Sequence, residues 1–261
     1  MKDILSDILS DKLAYVQHCK ALCSSSELEK LVRPRKSLSM RAALDASQTG
    51  IIAEFKRRSP SKGWINRDAD PLRTVPAYAE AGAAAVSILT DGPYFGGSED
   101  DIVSVRETVG IPILRKEFIV DPWQVLQSRV LGADAILLIA AALTKERCAE
   151  LAATAHDLGL EVLLEIHSQS EVEYINENVD MVGVNNRNLG TFHTDTDNSL
   201  RLAEALPHDI LRVSESGISA PQTIRRLREA GYKGFLIGES FMKTPAPEVA
   251  LARFIEEVEA C

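Results

Sequence analysis

The sequence predicts an α/β fold, a single (β/α)8 barrel preceded by an N-terminal helical extension, and three observations carry this. From residue 51 onward, eight short apolar runs alternate with eight segments of helical pattern. Strands that alternate with helices build a parallel sheet covered on both faces, and eight of each suggest a closed sheet. The 261 residues also match the size of one such barrel, which needs about 250. Finally, the first run leads into Glu54-Phe55-Lys56-Arg57-Arg58-Ser59. That is the wrong chemistry for the glycine-rich turn of a doubly wound dinucleotide-binding sheet, the main structural alternative.

Residues 1–50 are expected to be helical and 51–261 to form the barrel. In the extension, Ile4, Leu5, Ile8, Leu9 and Leu13 form one apolar stripe and Leu28, Leu31 and Val32 another. Pro34 interrupts the pattern within a basic stretch of Arg33, Arg35, Lys36 and Arg41. Strands are expected to begin near Ile51, Ala84, Ile111, Asp134, Leu160, Asp180, Asp209 and Lys233. Between and after them, helices are expected over 71–81, 99–109, 122–131, 144–158, 169–178, 198–206, 221–230 and 245–258. Pro71, Pro122, Pro221 and Pro245 fall near helix starts, where a missing N–H costs nothing. Gly82, Gly132, Gly159 and Gly231 follow helices, where a left-handed cap sits.

Composition narrows the function. The chain is 45% hydrophobic and 26% charged, a globular balance. With 29 basic and 38 acidic side chains its formal charge is −9, which argues against nucleic acid as the main partner. No apolar run approaches the roughly 20 residues of a membrane helix, and no signal peptide is visible, so a cytoplasmic protein with reduced thiols is expected. Cys19 and Cys23 lack the further ligands of a zinc site, and His18, His156, His167, His193 and His208 show no metal spacing or nucleophile partner. Surface or packing roles suit the histidines better. Trp123 and Cys148 are expected in the core, and Trp64 either packs locally or lines a pocket.

In a barrel, function sits at the carboxyl ends of the strands. Glu54 and Lys56 follow the first strand and, by alternation, point to one side. Alone they are as readily a rim ion pair as a site. The third strand ends in Arg115-Lys116-Glu117-Phe118, the fifth in Glu165, the sixth in Asn185-Asn186-Arg187, and the seventh in Ser214-Glu215-Ser216-Gly217. Lys56, Lys116, Glu54, Glu165, Glu215, Asn185 and Arg187 would thus converge on one mouth. Burying that many polar groups without function is expensive, and carboxylates beside lysines suit proton transfer.

Three loops have small residues that let backbone N–H groups approach an anion: Ser59-Pro60-Ser61-Lys62-Gly63, Ser216-Gly217-Ile218 and Ile237-Gly238-Glu239-Ser240. Each alone reads as a plain turn. Two of them follow the last two strands, where barrels often hold phosphate, so a small phosphorylated substrate is expected.

Taken in order, these segments resemble the indole-3-glycerol phosphate synthase family. The resemblance rests on residues 54–63, on Leu89-Thr90-Asp91 with Tyr94-Phe95-Gly96-Gly97-Ser98, and on Lys116-Glu117-Phe118-Ile119-Val120-Asp121-Pro122. It continues through Glu165, residues 183–189, Glu215-Ser216-Gly217-Ile218 and residues 235–240, spanning about residues 3 to 258. It implies a TIM barrel whose extra N-terminal helices help cover the mouth. The implied reaction turns 1-(2-carboxyphenylamino)-1-deoxyribulose 5-phosphate into indole-3-glycerol phosphate, carbon dioxide and water, with no cofactor and no metal.

By the same resemblance, Lys116 is the acid at the ribulose carbonyl oxygen. Glu165 and Lys56, assisted by Glu54, supply the acid and base of the dehydration. Arg187 and Lys56 hold the anthranilate carboxylate, while Asn185 and Glu215 fix sugar hydroxyls and neighbouring side chains. Phe95, Phe118, Leu137 and Leu189 form the aromatic slot. Phosphate falls to Ser59, Gly217, Gly238 and the N–H of Glu239, with Ser216 and Leu236 beside it. The chain departs from the family pattern at Glu117 and Asn188, where aspartate is common, and at Glu239, where many relatives have a small residue.

Other readings are a phosphosugar isomerase, a tryptophan synthase α-like barrel, an aldolase using Lys116 as a Schiff-base nucleophile, and a barrel that only binds phosphorylated ligands. The isomerase would need a cysteine at a strand end, and none is there. Contact with other enzymes of the pathway is not legible in the sequence.

Overall fold

Apolar strands without a polar face require cover on both sides, and the computed structural model, which describes residues 4–188 and 190–260, supplies it. Eight parallel strands close into a barrel: β1 (Ile51–Phe55), β2 (Ala85–Leu89), β3 (Ile113–Lys116), β4 (Ala135–Ile139), β5 (Glu161–Ile166), β6 (Met181–Asn185), β7 (Leu211–Glu215) and β8 (Gly234–Ile237). Closure runs through the pairing of Ile52 on β1 with Leu236 on β8. Side-chain alternation sorts each strand into two environments. Ile51, Ala53, Phe55, Val162 and Leu164 pack outward among the helices. Ile52, Leu114, Leu163, Met181, Leu211 and Val213 fill the barrel interior.

The extension contains α1 (Ile4–Leu22), α2 (Ser25–Glu29) and α3 (Met40–Ala46). The buried stripe of α1 is Leu5, Ile8, Lys12 and Val16, so Leu13, expected inside, is 51% exposed. Two carboxylates meet Lys12, and that pairing turns Leu13 outward. Leu31, also expected on an apolar stripe, is exposed. The chain then descends the barrel wall, where Trp123 is buried beside Leu28 and donates its indole N–H to the Cys23 carbonyl at 2.9 Å. Finally α3 inserts Met40 and Leu44 into the interior cluster at the strands' amino ends. The extension therefore serves both ends of the barrel, not the mouth alone.

Around the sheet lie α4 (Pro71–Glu80), α5 (Gly92–Phe95), α6 (Asp100–Val105), α7 (Pro122–Leu131), α8 (Lys145–Asp157), α9 (Asp197–Ala203), α10 (Pro221–Glu229), α11 (Glu239–Met242) and α12 (Pro247–Glu259). The helix expected over 169–178 is instead a 3-10 segment, Gln169–Tyr174. There the Asn176 side chain accepts from the Asn178 N–H at 3.0 Å, a local bond that competes with helix. The short α5 and α11, and a small hairpin pairing Arg58–Ser59 with Gly63–Trp64, were not expected. All are too brief to show periodicity.

One buried charge anchors the amino end. Asp134, fully buried, accepts from Arg35 and Arg106 at 2.6 Å each and from the N–H groups of Leu38 and Ile113 at 2.9 Å. Removing one partner of a buried ion pair strands the other, a loss of about 3–5 kcal/mol. Asp134→Ala should lower the unfolding free energy by that order in urea melts, and a change below about 1 kcal/mol would contradict the anchor role.

Candidate active site

The interior alternation that fills the barrel with Leu and Ile brings Glu54, Lys116, Glu165, Asn185 and Glu215 inward at the strands' carboxyl ends, where they line a cavity of about 490 Å³. Volumes of this size suit a small metabolite. Lys56, Arg187, Ser59, Ser216, Gly217, Leu236, Gly238, Glu239, Phe95, Phe118 and Leu137 line the same cavity. Leu189 lies outside the described residues.

Lys116 sits at the centre. Its Nζ donates to Glu165 Oε2 at 2.9 Å and also contacts Glu215 Oε2. Asn185 steadies the same pair, donating to Glu165 Oε1 at 3.0 Å. Lys56 contacts Glu54 Oε1, as expected of neighbours on one side of β1. Glu54, Glu165 and Glu215 are only 4%, 3% and 1% exposed, so each must be paired or neutral.

Three carboxylates face two ammoniums, and the charge states follow from that imbalance. Burial works against the Lys116 charge, but the pull of Glu165, Glu215 and Glu54 outweighs it and holds its pKa above the ordinary range. Burial alone would raise Glu165, yet Lys116, His167 and the Asn185 hydrogen bond bring it to about 2. Glu215 absorbs the surplus: burial lifts it, Lys116 only partly opposes, and repulsion from Glu165 and Glu54 leaves it at about 7. Its Oε1 is buried and has no hydrogen-bond partner, which suits a neutral acid awaiting a ligand.

Glu215 retains its proton in the fold up to about pH 7, whereas an unfolded glutamate loses it near about 4.3. The native state binds more protons across that window, so this group's contribution makes stability fall as pH rises through it. The melting temperature of Glu215→Gln, relative to the native protein, should therefore climb between about pH 5 and pH 8. A flat or falling difference would contradict the assignment.

At the far end of the cavity, the loops after β1, β7 and β8 meet. Ser216 and Gly217 both have positive φ, 68° and 77°, and Gly217 must be glycine for space too: an added Cβ would lie 2.6 Å from Thr194 Cγ2. Gly238 is equally confined, 2.3 Å from Glu54 Oε1 on the same measure. Arg187 spans these loops, donating to Ser61 Oγ at 2.6 Å and lying 3.4 Å from Glu239 Oε2. Lys62 lies 3.6 Å from the other Glu239 oxygen. In this arrangement the Glu239 carboxylate is held by cations on neighbouring loops.

Several residues here escaped the sequence reading. His167 lies 3.4 Å from Glu165 Oε1; its place two residues beyond Glu165 on an alternating strand was an available signal. Gly183 makes room for Glu215, since a Cβ there would sit 2.1 Å from Oε1. Phe192 and Thr194 enter from the loop after β6, and Ile4, Leu5 and Ile8 enter from α1. Trp64 is 48% exposed and stacks with Arg58 and Arg67, away from the cavity lining. Among the described residues, no cluster of three or more His, Cys, Asp or Glu is placed to hold a metal ion. No described helix is long and apolar enough to cross a membrane.

Comparison with solved structures finds the same barrel in distant proteins. The tryptophan synthase α-subunit of Pyrococcus furiosus superimposes with a TM-score of 0.62 at 15% identity, over 82% of this chain and 99% of that one. The α-subunit from Legionella pneumophila gives 0.61 at 12% identity, over 85% and 97%. At such identities only the fold is shared. Sequence relatives are much closer: the indole-3-glycerol phosphate synthase of Bacteroides thetaiotaomicron is 56% identical over 99% of this chain and 100% of its own length. That of Koribacter versatilis is 44% identical over 98% and 100%. The family profile described as indole-3-glycerol phosphate synthase matches residues 5–254, which takes in the strand ends and loops that line the cavity. The chain belongs to the indole-3-glycerol phosphate synthase family.

Proposed function

We propose that this chain converts 1-(2-carboxyphenylamino)-1-deoxyribulose 5-phosphate into indole-3-glycerol phosphate, carbon dioxide and water, a step of tryptophan biosynthesis. The observation that carries the reading is the Lys116 ammonium, buried at the barrel mouth between Glu165 and Glu215. Its neighbours hold it protonated, so it has a proton ready for the ribulose carbonyl oxygen.

As that oxygen is protonated, the ring carbon bearing the carboxylate attacks the carbonyl carbon and the new carbon–carbon bond closes the five-membered ring. The carboxylate then leaves as carbon dioxide, and its bonding pair returns to the ring and restores aromaticity. Dehydration needs one proton for the departing hydroxyl and a base for a proton of the neighbouring ring CH2, so that the carbon–carbon double bond forms and the ring N–H stays in the product. Lys56, paired with Glu54 at the rim, and Glu165, beside Lys116, are the two groups that supply this acid and base. Glu215, with its pKa of about 7, can hand a hydrogen bond to a sugar hydroxyl through the unpartnered Oε1.

Arg187 and Lys56 would hold the anthranilate carboxylate, with Phe95, Phe118 and Leu137 enclosing the ring. The N–H groups around Gly217 and Gly238, with Ser59, would hold the phosphate. On binding, the Glu239 carboxylate has to release Arg187 and Lys62, which lie near the ligand's two anionic ends. Incubation with this substrate, followed by chromatography and mass measurement, should yield indole-3-glycerol phosphate. Borohydride added during turnover should leave no adduct on Lys116. A trapped adduct would support the aldolase reading instead.

A further inference from the structure

Lys12 interrupts the buried stripe of α1. Its neighbours on that face, Leu5, Ile8 and Val16, are apolar, yet the lysine side chain is only 7% exposed. A buried ammonium is tolerated only where partners replace water. Lys12 has two, Asp91 Oδ2 at 3.0 Å and Glu117 Oε1 at 2.9 Å.

Each partner also holds a piece of the cavity wall. The other oxygen of Asp91 accepts the Tyr94 N–H at 2.8 Å and caps α5, which ends in Phe95. Glu117 Oε1 accepts the Phe118 N–H at 2.8 Å, and its Oε2 accepts from the Thr90 hydroxyl at 2.7 Å. Phe95 and Phe118 line the cavity with ring centroids 6.0 Å apart. A second bond, from the Tyr94 hydroxyl to Asp11 at 2.6 Å, ties α1 to the same turn. Thus one ammonium joins the helix that supplies Ile4, Leu5 and Ile8 to the two backbone segments that carry the aromatic rings.

We propose that Lys12 is a positioning residue that locks α1 onto Asp91 and Glu117, and so sets the width of the slot for the substrate's aryl ring. This rests on the synthase reading above, which places that ring between Phe95 and Phe118. Lys12 touches no reacting atom, so its loss weakens binding of the aryl end and largely spares the chemical step.

The charges around it show what the lock holds together. Facing Lys12 are Asp91 from the loop after β2, Glu117 from the end of β3, and the Tyr15 ring on its own helix, 5.2 Å away. Behind Glu117 stands Arg115, 3.9 Å away and itself 3.3 Å from Glu99. Without the ammonium, Asp91 and Glu117 lose the charge that holds them to α1 and repel each other.

The test compares native protein, Lys12→Met and Lys12→Arg in steady-state turnover and in calorimetric substrate binding, with inorganic phosphate as a competing probe of the cavity's far end. Lys12→Met should raise KM and Kd about tenfold while kcat stays within about threefold, and Lys12→Arg should recover most of the loss. The inhibition constant of inorganic phosphate should shift by less than about twofold. Unchanged substrate affinity in Lys12→Met would overturn the proposal. So would a joint fall of kcat, phosphate affinity and melting temperature that arginine does not restore. If native protein binds the substrate without turning it over, the synthase reading fails, while the Kd comparison still decides the role of Lys12. Absence of binding by native protein would sink both.

Discussion

Lys116→Met should lower kcat by about three orders of magnitude, within the range that a positioned general acid contributes. Methionine keeps much of the length and volume of lysine but has no proton to give. The substitution also leaves Glu165 and Glu215 facing each other without the ammonium that now lies between them. The proton that Glu215 retains in that pair sits on a different atom from the one that serves the carbonyl oxygen. Saturating kinetics checks this: the loss belongs in kcat, because in the proposed binding mode Arg187 and the loops after β1, β7 and β8 still hold both ends of the substrate. A variant with normal kcat and a raised KM would reassign Lys116 to binding.

A second large effect is expected where no charge is touched. Gly183→Ala places a methyl group 2.1 Å from Glu215 Oε1 and 3.2 Å from its Cδ. The β6 backbone cannot retreat, since it is paired with β5 on one side and β7 on the other. The carboxylate must move instead, and its contact with Lys116 moves with it. Misplacement of about 1 Å can cost about 100-fold in rate, so kcat/KM should fall by that order while the far-UV spectrum is unchanged. Combining Gly183→Ala with Glu215→Asp shortens the obstructed side chain and should recover part of the activity. Purely additive losses would contradict the steric account.

Topology explains why so much of the site was legible. Function in this fold gathers at the ends of parallel strands, so polar residues closing apolar runs marked Glu54, Lys116, Glu165, Asn185 and Glu215 without any distance information. The alternation of β1 likewise placed Glu54 and Lys56 together. What escaped depends on contacts between remote segments. Nothing near Gly183 says that a carboxylate from the next strand needs its space, and nothing near Lys12 says that two acids await it across the mouth. The rotation of α1 was misread for that reason, because an apolar count favours Leu13 over a paired lysine. Short elements such as α5 and α11 span about one turn, too little for a period to appear. Nor does the sequence around Glu239 show its partners, Arg187 and Lys62, which come from two other loops.

The most direct test of the central claim is a single-turnover experiment with protein in excess over the carboxyphenylamino-deoxyribulose phosphate, reading indole fluorescence and released carbon dioxide together. Native protein should give one equivalent of each, and Lys116→Met should bind the substrate and give neither on the same timescale. Folded native protein that binds the substrate yet releases no carbon dioxide and forms no indole would contradict the account, as would undiminished turnover in Lys116→Met.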